Sequence, residues 1–224
     1  ASAASAATSE PAAASGGRTF VAVTSCPTGI AHTYMAAEAL EQTGKAQGHE
    51  VTVETQGSIG SEPLDPAVIE AADGVIFAAD LEVKERERFA GLPTVDAPKG
   101  KKPTVTMPEG GLKTTAGGVT RVVLEEGDGD VVKPTDTIKA FYLGVNGSDG
   151  KEFDSSWSRG TEPSEFPLTG VIQGWTHGLA GLKAGSTVML VIPPVLGYGA
   201  NPSSELATET LVFVVTIDSI TAAK

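Results

Sequence analysis

The sequence predicts two domains of different class. The first is an α/β domain on an open, mostly parallel sheet, and the second an α+β domain whose antiparallel sheet folds against one short helix. Three observations carry this. Over residues 18–90, short β-rich runs alternate with helical patterns, the order that builds parallel sheets. Beyond residue 112 the apolar period becomes two, with Gly, Asp and Asn turns between the runs. The stretch between them, "GLPTVDAPKGKKPTVTMPEGGL", is rich in glycine and proline and gathers Lys99, Lys101 and Lys102 in an otherwise acidic chain, so the domain boundary is placed there.

Taken in order, residues 1–17, "ASAASAATSEPAAASGG", have too little apolar bulk to offset their ordering entropy and read as a disordered linker. "TFVAVTS" suits a buried strand. "IAHTYMAAEALEQTGKAQG" sets Met35, Ala36, Ala39 and Leu40 at helical spacing, with Gly48 as the stop. "HEVTVETQG" alternates as a second strand. "LDPAVIEAAD" opens a helix with Asp65 as N-cap and Pro66 at the first helical position, and "GVIFAAD" is a third strand. In the second domain "GVTRVVLEEGDGD", "DTIKAFYLGVNGSDGKEFDSS", "STVMLVIPP" and "ETLVFVVTIDSI" read as strands, and "GVIQGWTHGLAGLKAG" as the one helix. The expected divisions are a linker at 1–17, a first domain at 18–98, a linker at 99–111 and a second domain at 112–224.

A chain of 224 residues with 40% apolar side chains has material for two cores. Its net charge of -12 argues against nucleic acid or an anionic membrane surface as partner. No apolar run approaches the roughly 20 residues that span a bilayer. One cysteine excludes an intrachain disulfide framework. The chain opens on Ala1 rather than Met, as expected after removal of an upstream segment or domain.

That cysteine, Cys26, lies where the first strand gives way to the first helix. A helix N-terminus favours negative charge and lowers a thiol's pKa, and its free N–H groups can grip a phosphate. Gly29 permits close backbone approach, Thr28 and Thr33 add hydroxyl donors, and His32 adds a ring N–H. A packed, inert thiol fits the same spacing, and on spacing alone both readings stand.

"VAVTSCPTGIAHTYMAAEAL", with "VETQGSIG", "IEAADGVIFAADLEV" and "ERFAGLP", closely resembles the fructose-type IIB domains of the bacterial phosphotransferase system. The resemblance implies that Cys26 accepts a phosphoryl group from a IIA histidine and passes it to a sugar held by a membrane IIC domain. Pro27, Thr28, Gly29, Ile30, Ala31, His32 and Thr33 would form the phosphate loop. It also accounts for residues 1–17 as the linker that joins IIA to IIB. The family's final helix has no counterpart in the text, which runs into the lysine cluster instead.

"GKEFDSSWSRG", "FPLTGVIQGWTHGL", "VIPPVLGYG" and "TLVFVVTIDSI" resemble the FK506-binding-protein class of peptidyl-prolyl isomerases, over about residues 112–220. The resemblance implies a curved antiparallel sheet wrapping a short helix, with a pocket between them. Trp175 would be the floor; Tyr142, Phe153, Phe166, Val171, Ile172 and Phe213 the walls; Asp154 and Tyr198 the polar rim. Of these, Tyr142, Asp154, Trp175 and Tyr198 are the expected catalytic group. The family's Ile-Pro-Pro lip before "TLVF" is here "ANPSSELATETLVF", where Leu206 would replace the apolar contact.

The expected function is prolyl cis/trans isomerisation by a protein that carries a IIB-like phosphocysteine domain. The rivals are a phosphoryl carrier for fructose uptake and a non-catalytic binder of proline-containing segments. Implied partners are proline-containing peptides or proteins, FK506-like macrolides, and IIA and IIC domains. No cofactor or metal is implied: His32, His49 and His177 are scattered without metal spacing, and His49 and His177 read as surface residues. The IIB resemblance implies a cytoplasmic location.

Overall fold

In the computed structural model the described residues are 17–25, 30–56, 63–79, 83–112 and 118–223. The first sheet is built from β1 (Thr19–Ser25), β2 (Glu50–Thr55), β3 (Gly74–Ala79), β4 (Thr94–Asp96) and β5 (Thr104–Thr106), ordered β2-β1-β3-β4-β5. The first four strands run parallel, and β5 returns antiparallel on β4. Two helices, α1 (Ile30–Ala46) and α2 (Pro66–Glu70), make the first crossovers. β1 is an interior strand, and its unbroken apolar run is buried on both faces. Phe20 and Ala22 belong to one core cluster, Val21 and Val23 to another with Ile69, Phe77 and Phe89.

The α2 start is as the sequence implies: Asp65 Oδ1 accepts from the Ala67 N–H at 2.8 Å, and Pro66 opens the helix. In α1 the buried stripe is turned from the expected one. Thr33, Ala37, Leu40 and Gly44 face inward, while Met35 is 66% exposed and Ala39 is exposed too. Alanines bury little area, so their spacing sets the helix phase only weakly. His49, expected at the surface, is buried: its Nδ1 accepts from the Arg18 N–H at 3.3 Å and its ring meets Phe20 edge-on. Burial lowers its pKa, against the opposing pull of the Arg121 backbone. His177 is exposed.

The stretch expected as a linker contributes β5 to the first sheet, and its lysines tie it to the second. Lys99 pairs with Glu125 and Lys102 with Glu152, each at 2.6 Å. The second sheet comprises β6 (Thr120–Glu125), β7 (Thr137–Asn146), β8 (Glu152–Ser155), β9 (Ser164–Pro167), β10 (Thr187–Ile192) and β11 (Leu211–Thr221). Its order is β6-β10-β11-β7-β8, with β9 also on β7, and every pairing is antiparallel. The sequence did not signal β9, which is short and flanked by prolines.

The α-helix of this half among the described residues, α3 (Gln173–Leu179), lies on the sheet's inner face. Gly174 and Gly178, one turn apart, bring its backbone down onto β10. A Cβ at Gly174 would stand 2.4 Å from Ile192 Cγ2, and one at Gly178 2.8 Å from Leu190 Cδ2. The inner face carries Ile138, Ala140, Tyr142, Leu190, Ile192, Leu211, Phe213 and Val215 against Trp175 and Leu179.

The outer face of the same sheet is apolar as well. Val122, Leu143, Val145, Met189, Val191, Val212 and Val214 form one cluster with Phe20, Ala22, Leu40, Ile76, Val95 and Val105 of the first sheet. Helix α1 covers part of that face of the first sheet, and the second sheet covers more of it. A crevice of about 220 Å³ remains at the carboxyl ends of β1 and β3, bounded by Thr24, Ser25, Thr33, Pro98, Leu124 and Thr187.

Gly174→Ala should overpack the helix–sheet contact and destabilise the protein by about 1–3 kcal/mol, read from chemical denaturation.

Candidate functional site

On the inner face of the second sheet five aromatic rings converge. Trp175, in the first turn of α3, meets Tyr142, Phe166 and Phe213 edge-on, with centroids 5.3 Å away in each case. Tyr142 and Phe166 stand 5.5 Å apart, Phe153 and Phe213 5.4 Å, all with crossed ring planes. Such edge-to-face packing fixes ring orientation beyond what area burial does. Gly144 on β7 makes room for it, since a Cβ there would stand 2.7 Å from Phe213 and 2.8 Å from Phe153.

One edge of this aromatic group is polar. The Tyr142 hydroxyl donates to Asp154 Oδ2 at 2.6 Å. Arg159 donates through Nη1 to Asp154 Oδ1 at 2.6 Å and through Nη2 to the Tyr142 hydroxyl oxygen. The Ser155 N–H adds a third bond to Asp154 at 2.9 Å. Burial opposes ionisation of Asp154, but the hydrogen bonds from Tyr142 and Arg159 outweigh it and hold the carboxyl below the usual carboxylate range. Burial, with the bond to Asp154, pushes the Tyr142 phenol up to about 12. At neutral pH the group is therefore phenol, carboxylate and guanidinium.

Arg159 escaped the sequence reading. The 3-10 turn at Ser156–Ser158 carries the chain round so that Arg159 faces Asp154, and the signal was the acid and base five residues apart across that turn. Val171, Ile172 and Leu206 are partly buried against the same core. Ile172 caps α3 in an extended conformation, so its N–H has no intrahelical acceptor. Tyr198 follows the 3-10 turn at Pro194–Leu196 and is 36% exposed, its phenol raised by burial and by the charge of Asp154. Trp175 Nε1 is buried without a hydrogen-bond partner among the described residues.

In the first domain Cys26, Pro27, Thr28 and Gly29 lie outside the described residues, as do the side chains of Ile30, Ala31 and His32. Thr33 is buried, and its carbonyl accepts from Thr24 Oγ1 at 3.2 Å. Close to the strand end that leads to Cys26 lies a buried polar cluster which sequence reasoning missed. Glu54, 1% exposed, takes two bonds from Arg88 Nη2 at 2.8 and 3.0 Å. Gln56 Nε2 donates to Glu54 Oε1 at 2.8 Å, and the Leu64 N–H to Oε2 at 2.9 Å. Burial raises the Glu54 pKa, but these bonds prevail and leave it lowered.

Comparison with known proteins matches both halves. A family model for the "PTS system, Lactose/Cellobiose specific IIB subunit" covers residues 21–106, and one for "FKBP-type peptidyl-prolyl cis-trans isomerase" covers 129–218. The isomerase FkpA of Escherichia coli K12 is 50% identical over 91 residues, which are 41% of this chain and 33% of that protein. This chain thus spans about a third of the length of that relative. The "PTS system fructose-like EIIB component 2" of the same organism is 59% identical over 73 residues, 32% of this chain and 69% of that one. A crystal structure of FkpA from Escherichia coli aligns with a TM-score of 0.44 at 40% identity, covering 52% of this chain and 54% of that one. The described helices include none long and apolar enough to cross a membrane. Through its first half the chain belongs to the fructose-like EIIB components of the phosphotransferase system, and its second half is an FKBP-type peptidyl-prolyl cis-trans isomerase domain.

Proposed function

We propose that this protein is a prolyl cis/trans isomerase that works through the aromatic group around Trp175, held in one chain with a IIB phosphocarrier domain. The observation that carries it is the hydrogen-bonded Tyr142–Asp154–Arg159 group at the edge of five converging rings. Rotation about an X–Pro bond meets a barrier of about 18–20 kcal/mol, because amide resonance is lost on the way. No nucleophile or proton transfer is needed. An apolar surround favours the twisted amide, which separates less charge than the planar one. In this reading the proline ring lies over Trp175, and the Ile172 N–H donates to a carbonyl of the substrate. The ionised Asp154, fixed by Tyr142 and Arg159, faces the rotating amide with a field already oriented, so no reorganisation is needed at the barrier. Proline-containing peptides and FK506-like macrolides are the ligands of this site.

The 59% identity to a fructose-like EIIB component favours a second activity at the other end of the chain. The Cys26 thiolate, its proton already lost to solvent, attacks the phosphorus of a phosphohistidine on a IIA domain. The S–P bond forms as the N–P bond breaks, and the imidazole leaves with the electron pair. A sugar hydroxyl at a IIC domain then attacks the phosphorus: the O–P bond forms as the S–P bond breaks, the sulfur leaves as thiolate and the hydroxyl proton passes to solvent. Phosphoryl donors of this kind act in the cytoplasm, so this reading carries a cytoplasmic location with it. The altered segment around Leu206 supports a third reading, in which the pocket binds proline-containing segments without turnover.

Isomerisation of an X–Pro peptide by the intact protein should lose about tenfold or more in kcat/KM in both Trp175→Ala and Asp154→Ala. Saturable peptide binding with no acceleration by the folded wild type would leave only the binder reading. Asp154 has a lowered pKa, so its contribution is complete above the ordinary carboxylate range and lost as pH falls through the lowered value. Tyr142, at about 12, stays protonated. The rate should therefore be flat between about pH 5.5 and 9, and a bell-shaped profile would contradict this assignment. Cys26→Ser should abolish phosphoryl acceptance and leave isomerisation unchanged.

A further inference from the structure

We propose that Arg121 is a positioning residue for the isomerase site, its guanidinium holding the carboxyl end of α3 and through it the place of Trp175. This rests on the isomerase reading. Residues along β6 alternate between the two faces of the second sheet. Val119 and Val123 pack against the inner core, and Arg121 stands between them in that alternation. The pattern calls for an apolar residue there. Instead the position holds a half-buried cation whose pKa burial lowers, and no carboxylate among the described residues offsets it. A charge so placed costs stability, and well-packed apolar atoms would serve the core at least as well.

The bonds of Arg121 show what it does. Its Nη1 donates to the Ala180 carbonyl at 3.0 Å and, more weakly, to the Gly178 carbonyl at 3.5 Å. Carbonyls at a helix end have no intrahelical partner and carry partial negative charge, so a cation suits them. The helix has seven residues, too few to be stable alone. In register Arg121 stands beside Leu190, the residue on which Gly178 rests. Its backbone is held in turn from the first domain, by a hydrogen bond with the buried His49 ring. Gly174 and Gly178 let α3 approach β10 closely, but they present no side chain that would key it against sliding along the strand. Directional bonds must set that position. Thr176 Oγ1 does so from within the helix, donating to the Leu168 carbonyl at 2.7 Å. Beyond the last turn Arg121 does so, together with the Gly181 N–H on the Val132 carbonyl at 2.9 Å. Trp175 lies in the first turn and Ile172 just before it, so a slide of α3 moves both against Tyr142 and Phe213, which belong to the sheet. Small misplacements of this kind are costly where orientation sets the rate.

The test uses the full chain and an X–Pro peptide. Arg121→Met keeps the apolar stem and removes both the charge and the donors. It should melt close to the wild type, because an unpaired half-buried charge is gone, yet lose about fivefold or more in kcat/KM. Arg121→Lys keeps a cation and a donor on a stem of nearly the same reach, and should recover most of that loss. The second readout is acrylamide quenching of Trp175 fluorescence, with Trp157, the other tryptophan, replaced by Phe throughout. Quenching should rise in Arg121→Met and return towards the wild-type value in Arg121→Lys. If Arg121→Met does not fold, Arg121→Gln takes its place, since its amide stays polar but is too short to reach the Ala180 carbonyl. A folded donorless variant with wild-type kcat/KM overturns the proposal, and so do equal losses in that variant and in Arg121→Lys. A wild-type chain that does not accelerate isomerisation overturns the isomerase reading itself. The hold on α3 is then decided by the quenching alone, where identical values in wild type and variants overturn it.

Discussion

Each of the two sheets has apolar residues on both faces, and the described helices of neither domain cover them all. This constraint governs the architecture. Among the described residues, the first sheet has α2 and the turn at Arg86–Phe89 over one face and α1 over part of the other. The second sheet has α3 on its inner face and no helix among the described residues on its outer face. Packing the two uncovered surfaces together removes both from water at once, and at about 25 cal/mol per Å² of apolar surface that is the largest favourable contribution the junction can make. The salt bridges of Lys99 and Lys102 sit at the rim of this contact, exposed, and add little beyond register.

Polar chemistry is confined to the ends and edges of these apolar layers. At the second domain's site a carboxylate and a guanidinium neutralise one another beside the rings while a phenol donates to the carboxylate, so charge is present without an unpaired ion in the pocket wall. At the first domain's strand ends Glu54 and Arg88 follow the same rule with deeper burial. In both places an acid is kept ionised by donors from separate segments of chain, and in both the donors fix the backbone that carries them.

Much of this was legible in the sequence because period and punctuation are local signals. The alternation of strand and helix up to residue 90, the Asp65–Pro66 helix start and the strands β6, β7, β10 and β11 all show within short contiguous runs. The pocket rings were legible only through family resemblance, since five aromatics scattered between residues 142 and 213 have no common spacing. Arg159, His49 and the Glu54 cluster were missed for one shared reason. A charged or polar residue reads as solvent-exposed unless its partner is known, and the partners of Glu54 and His49 lie some thirty residues away. The stripe on α1 was misjudged because alanine carries too little area to fix a helix's rotation.

Strand β11 shows what this economy entails. Leu211 and Phe213 face the aromatic pocket, while Val212 and Val214 face the first domain. The strand is thus a party wall, and its two tenants are told apart only by odd and even position. Inserting or deleting one residue would exchange them all. Over evolutionary time the pocket and the junction can therefore be retuned by substitution in this strand, yet never by a change of its length. Descendants of this chain should show point changes along β11 and place their insertions in the loops that it joins.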